Sequence, residues 1–245
     1  MKIYKSIFRV DFPLNYSLMD KLGDEFQFMK SITSVEPYNN IQGNVDLNSR
    51  SIILHGALGK DRFTVNQTLN SFDFIVEYNE AIDFTRLSNH PILEFTDKVI
   101  KRIGAACNDT FERIGYRSWI VIEDDKFKFA SIKQQFENKN SIFCNYVNEL
   151  FGVTSDLGII IEASKADGTS IRILTGPYQQ KEWIKYFSKD IKIVEGLIID
   201  IDIYLAKVQM PNLDIKQFSR KVRNTCDKYV NGTYALLLEE LNSES

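Results

Sequence analysis

The chain predicts an α+β fold, antiparallel sheets with helices packed on them, arranged as two similar strand-then-helix halves. Three observations lead there. Short segments rich in β-branched and aromatic residues follow one another across links too short for a parallel crossover. Longer segments carry apolar residues three and four apart, the period of a helix with one buried face. The order of strands followed by a helix occurs twice along the 245 residues.

The first strand runs from Ile3 to Phe12 and stops at Pro13, which cannot donate to a ladder. Leu18, Met19, Leu22, Phe26 and Met29 then recur at helical spacing, with Gly23 a weak point in that helix. Strands follow at Ser51–Leu58, Asp61–Leu69 and Phe72–Tyr78, separated by Gly, Asn and Ser, which predicts a meander. Pro91 suits a first helical turn, and Ile92, Phe95, Val99, Ile100 and Ile103 extend its stripe to about Cys107. Phe111–Glu123 returns to strand, with Ile114, Tyr116, Ile120 and Ile122 on one face and Arg113, Arg117 and Glu123 on the other.

Two short helices are expected within Ser131–Phe151, parted near Asn138–Asn140. A hairpin turns at Asp167–Gly168 between strands Leu157–Ala163 and Ser170–Thr175. A short helix near Gln180–Phe187 and a long strand Ile193–Val208 come next. The last helix starts after Pro211, buries Ile215, Phe218, Val222 and Cys226, and is expected to break or kink at Gly232. No linker composition separates the halves, so one domain, 1–245, is expected, with 1–125 and 126–245 as subdomains at most.

Composition narrows the function. A net charge of -3 gives no overall pull on phosphate backbones, so nucleic-acid binding would need a local basic patch. No apolar run reaches membrane-spanning length, and the charged N-terminus is unlike a signal peptide, so a cytoplasmic protein without membrane partners is expected. The sequons at Asn66, Asn108 and Asn231 then carry no meaning. Cys107, Cys144 and Cys226 are odd in number and far apart, which reads as buried free thiols. With only His55 and His90, histidine-centred catalysis and His-rich zinc sites have too few parts. His55–Asp61 lacks the spacing of a phosphate-binding loop, and no other nucleotide, hydrolase or zincin motif is present. No cofactor is expected.

Three groups carry candidate chemistry. In Leu197–Tyr204, strand alternation puts Asp200, Asp202 and Tyr204 on one face, a carboxylate pair able to chelate Mg²⁺. Over those eight residues the run looks like the metal-binding strand of diguanylate cyclases and palm polymerases. Arg113 and Arg117 share a face across Gly115, two forks that suit a phosphate or carboxylate, or that pair with Asp200 and Asp202 on a neighbouring strand. Glu123–Asp124–Asp125–Lys126 holds an acidic-x-Lys pattern of the restriction-nuclease kind. A separate possibility is a stripe of Lys126, Lys128 and Lys133 with Phe127 and Phe129 interleaved, which would fit nucleic acid. Trp119 and Trp183 are candidate anchors for a protein interface.

The succession of Arg113-Ile114-Gly115-Tyr116-Arg117, the later Ile199–Tyr204 strand and a closing helix with Phe218 resembles an uncharacterised bacterial family scattered sporadically across genomes. Its pattern reads Arg-x-Gly-Leu-Arg-Tyr followed by Asn; here Tyr116, Ser118 and Trp119 stand at the varying places. The resemblance implies a cytoplasmic protein of patchy distribution, compatible with a genome-conflict system, and assigns no activity. With no matched acid, base and nucleophile, the leading expectation is a non-enzymatic binding or assembly component with a protein partner or self-association. The rivals are metal-dependent phosphoryl transfer or nuclease action through Asp200 and Asp202, and non-catalytic nucleic-acid binding.

Overall fold

The structure, a computed structural model, describes residues 2–18, 20–83, 90–108, 110–189, 191–209 and 213–243. Met19 and Pro211, both used in the sequence reading, lie outside the described residues. Nine strands form one antiparallel sheet: β1 Lys2–Asp11, β2 Tyr38–Asp46, β3 Ser51–Leu58, β4 Asp61–Gln67, β5 Ser71–Ile82, β6 Thr110–Ile122, β7 Ile159–Ser164, β8 Thr169–Gln179 and β9 Glu195–Gln209. The helices are α1 Leu22–Ile32, α2 Ile92–Ala106, α3 Phe129–Lys139, α4 Ser141–Phe151, the single turn α5 Trp183–Tyr186, and α6 Ile215–Ser243. The α+β class is therefore as expected.

Across the sheet the strands run β2-β3-β4-β5-β1-β6-β9-β8-β7. Each half follows one plan: a strand, then helix, then a meander whose last strand returns beside the first, then a closing helix. The second half begins with β6, so the repeat divides the chain between α2 and β6 rather than at 125. Among the described residues only the β1–β6 ladder joins the halves within the sheet, over a register running from Lys2↔Val121 to Asp11↔Arg113.

Alternation decides the two faces. Phe8 and Val10 of β1, Phe72, Phe74 and Val76 of β5, Ile114, Tyr116 and Ile120 of β6, and Ile199, Ile201 and Ile203 of β9 point to one side. There they meet Met29 of α1, Phe95, Val99 and Ile103 of α2, Ile132 of α3, and Phe218, Val222 and Val230 of α6, in a single core. Phe95 sets its ring edge against Phe74 at 4.8 Å between centroids, a favoured aromatic geometry. Glu25 of α1, 5% exposed at its side chain, accepts from Arg102 Nε of α2 at 2.8 Å, which answers a buried carboxylate and ties the two helices together. The opposite face is bare except at one end. There residues 180–189 and 191–194 cross it and cover a small cluster of Trp119, Val121, Tyr178, Phe187, Ile193 and Ile198.

Three sequence expectations change. β2 has no counterpart among them, because its exposed residues Asn39, Asn40, Gly43 and Asn44 give an edge strand with no apolar face to read. The helix expected to carry Leu18 on its apolar stripe starts at Leu22, and Leu18 is buried in a separate 3₁₀ turn. Helix α6 runs unbroken through Gly232, since Val230 and Leu237 stay in the core on either side of it. A helical glycine costs roughly 0.5–1 kcal/mol against alanine, less than the burial of that continuous stripe contributes. Among the described residues no helix is long and apolar enough to cross a membrane.

A Cβ added at Gly232 meets nothing within 4 Å. Gly232→Ala is therefore expected to raise unfolding stability by roughly 0.5–1 kcal/mol, read from the midpoint of a urea titration.

Candidate functional site

The bare face of the sheet carries the charges singled out above. Arg9 and Asp11 of β1, Asp73 of β5, Arg113 and Arg117 of β6, and Asp200 and Asp202 of β9 lie across its four central strands. Arg113 and Arg117 are indeed neighbours of Asp200 and Asp202, and they pair with them. Arg117, directly opposite Asp202, leans along the strand and holds Asp200 by two hydrogen bonds, Nε at 2.7 Å and Nη2 at 2.5 Å. Arg113, opposite Ala206, reaches past Gly115 to donate to Asp202. The space beside Gly115 is the passage for that arm: a Cβ there would lie 3.4 Å from both Arg113 Nε and Asp202 Oδ1, and 3.2 Å from Tyr204 Cβ.

Aromatic faces fix both arms. Arg113 lies over Tyr204 at 4.3 Å from the ring centroid, and Arg117 over Trp119 at 4.4 Å. Arg9 continues the ladder toward the first half, bonding Asp11 at 2.9 Å and approaching Asp73 at 3.6 Å. Asp200 and Asp202 expose only 5% and 14% of their side chains, against 38% and 29% for Arg117 and Arg113. Burial raises the Asp202 carboxyl above its ordinary value, with Arg113 and Arg117 pulling the other way. Its hydrogen bond to Asp200 raises the Arg117 guanidinium. Asp200 and Asp202 thus already spend lone pairs on cations that a divalent ion would have to displace. Among the described residues no three His, Cys, Asp or Glu side chains group as metal ligands.

The remaining candidates are engaged elsewhere. Asp124 accepts from Tyr234 Oη at 2.8 Å and from Lys126 N at 3.0 Å, pinning the turn after β6 to α6. Phe127 is fully buried and Phe129 half-buried in the crevice between α3 and α4, while Lys128 and Lys133 pair with Glu195 and Glu137 and Lys126 binds Asn242, so the two rings do not form one stacking row. Cys107, Cys144 and Cys226 are free and buried, and burial pushes the Cys107 and Cys226 thiols up, away from the reactive thiolate. Burial takes His90 down to about 4, so it is neutral, with its ring against Tyr78. His55 bonds Thr64 at 3.1 Å on the bare face, next to the β3–β4 turn. Trp119 is 6% exposed and Trp183 packs on the small cluster, so neither is a free anchor.

A different feature stands out on the surface. Helix α4 is docked with its apolar side outward: Ile142, Phe143, Tyr146, Leu150 and Phe151 are exposed between 57% and 85%, and Val147 by 43%. Its Cys144, Asn145 and Asn148 instead line the crevice against α3. Val153, 87% exposed, extends the patch beyond the helix. Ile160 and Ile161 are also exposed, on β7, which closes one edge of the sheet. The sequence pattern could have flagged this stripe, but only packing shows that it faces water.

Two outcomes follow from the ladder. Asp200→Ala leaves Arg117 unpaired and is expected to cost about 1–2 kcal/mol of stability, limited by the exposure of Arg117. Chemical denaturation measures this, and millimolar Mg²⁺ should leave the midpoint of the parent chain unmoved. Burial, the larger cause, raises the Asp73 carboxyl above 3.8, with Arg9 opposing it. A group with a raised folded value contributes stability that is present below the unfolded value and lost as pH rises through the folded one. Asp73→Asn should therefore gain in Tm relative to the parent as pH rises from below 3.8 to neutrality.

No protein-family model matches the chain, and no curated protein matches it, so its geometry alone carries the functional reading.

Proposed function

We propose that this protein is a non-enzymatic assembly component that associates with a second copy of itself through the outward face of α4. The observation that carries this reading is the run of exposed apolar side chains on that helix, six of them within Ile142–Phe151, where the other exposed large apolar residues stand singly or in pairs. Two rows, Ile142, Tyr146 and Leu150, and Phe143, Val147 and Phe151, follow i, i+4 spacing and make one continuous surface. A standard interface buries roughly 800 Å² per partner. The patch reaches that scale, because a single aromatic side chain alone carries roughly 150–250 Å². Edge strand β7 lies in the same half, with unpaired backbone groups that suit association.

The phosphoryl-transfer reading draws no support from the site, since Asp200 and Asp202 are engaged by Arg117 and Arg113. The resemblance to a sporadically distributed bacterial family, with its genome-conflict context, is compatible with an assembly role and adds nothing to its mechanism.

Light scattering on the eluting protein at micromolar concentration should give a dimer. The double variant Phe143→Glu, Phe151→Glu should elute as a monomer with unchanged circular dichroism, because both side chains face solvent in the single chain, and its Tm should no longer depend on protein concentration. A parent chain that stays monomeric, or a dimer that survives both substitutions, would sink the proposal.

A further inference from the structure

The geometry points to a second surface, on the first half of α6, that binds the phosphate backbone of a nucleic-acid duplex. The chain as a whole is acidic, at -3, yet residues 213–228 carry Lys216, Arg220, Lys221, Arg223 and Lys228 against only Asp214 and Asp227. Ile215, Phe218, Ser219, Val222 and Cys226 face the core, which turns the cations onto the opposite arc of the helix. Lys216, Arg220 and Arg223 line one flank, in a cleft of about 900 Å³ shared with Lys101 of α2. Lys221 and Lys228 line the other, in a cleft of about 680 Å³ shared with Lys165.

The nearby carboxylates are already occupied. Glu94 pairs with Lys98, Asp97 with Lys101 and Asp167 with Lys221, while Asp214 accepts from Gln217 N at 3.0 Å. Among the described residues no salt bridge holds Lys216, Arg220 or Lys228, although Glu94, itself paired with Lys98, lies close enough to Lys216 to feel its charge.

Shape and chemistry select the ligand. From Lys216 to Lys228 the helix extends about 18 Å, a length over which a duplex presents on the order of ten phosphates. Gln217, Asn224 and Thr225 lie between the cations and can donate to phosphate oxygens. A membrane surface would call for exposed apolar side chains beside the cations, and among the described residues no large one is exposed between Val194 and Leu236. A single strand would call for exposed aromatic rings, whereas Phe218 is buried and Tyr229 packs against the core. What remains is backbone binding without base readout. This surface is separate from α4 and independent of the assembly reading.

Fluorescence anisotropy on the full chain with a labelled duplex tests it. Binding is expected to weaken by roughly 100-fold between about 50 and about 200 mM salt, the slope for four or more phosphate contacts, and to be equal for unrelated sequences. The triple variant K216Q/R220Q/K228Q should lower the log–log slope by about three, and K216Q and K228Q alone by about one each. The single variants keep the test valid if the triple one folds poorly. Phe143→Glu, Phe151→Glu should bind the duplex undiminished. No binding at low salt, a salt-independent affinity, variants that bind as the parent does, or tighter binding to a single strand or to phosphatidylserine vesicles would each overturn the inference.

Discussion

Antiparallel pairing of β1 with β6 is the interaction on which the rest of this structure depends, because among the described residues it alone merges a five-strand half and a four-strand half into one nine-stranded sheet. Its register places Arg9 opposite Gly115 and Asp11 opposite Arg113. The neighbouring β6–β9 register brings Arg113 and Arg117 within reach of Asp202 and Asp200. A slip of one residue would send every one of these charges into the apolar core and every core residue into water. The charge ladder is thus a consequence of the ladder of backbone hydrogen bonds, and it reinforces the same register.

Charges on a partly buried sheet face are tolerated when each finds an opposite partner, and removal of one partner costs more than the pair contributes. That explains why the bare face looks like a site in the sequence and behaves as a clasp in the fold. Gly115 serves the clasp by letting the Arg113 arm cross the strand, and Tyr204 and Trp119 hold the two guanidinium planes in place. Electrostatic pairing here engages the very carboxylates and guanidinium groups that a metal or an anion would need.

Available surface lies elsewhere, and it comes in two chemistries that do not overlap. Helix α4 offers apolar area with only Cys144 buried, while the first half of α6 offers cations with its apolar residues turned inward. Averages over the chain conceal both. A net charge of -3 says nothing about where the cations cluster, and an ordinary hydrophobic fraction says nothing about which apolar residues remain wet.

Local patterns carried most of the fold. Alternation marked β6 and β9, β-branched and aromatic composition marked β3, β4 and β5, Pro13 marked the end of β1, the Asp167–Gly168 turn marked the β7–β8 hairpin, the Asn138–Asn140 cluster marked the α3–α4 break, and helical spacing marked α2 and the start of α6. β2 escaped because an edge strand with polar residues on both faces has no period to detect, and the continuity of α6 through Gly232 escaped because burial on either side outweighs propensity. The sequence by itself determined the fold class, the periods of the elements and the faces on which Arg113, Arg117, Asp200 and Asp202 stand. Only the tertiary structure decided that these four neutralise each other, that Phe127 is buried rather than poised for stacking, and that the apolar side of α4 faces outward. The physical reason is that periodicity is set by bonds within a segment, whereas pairing and exposure depend on which distant segment arrives beside it.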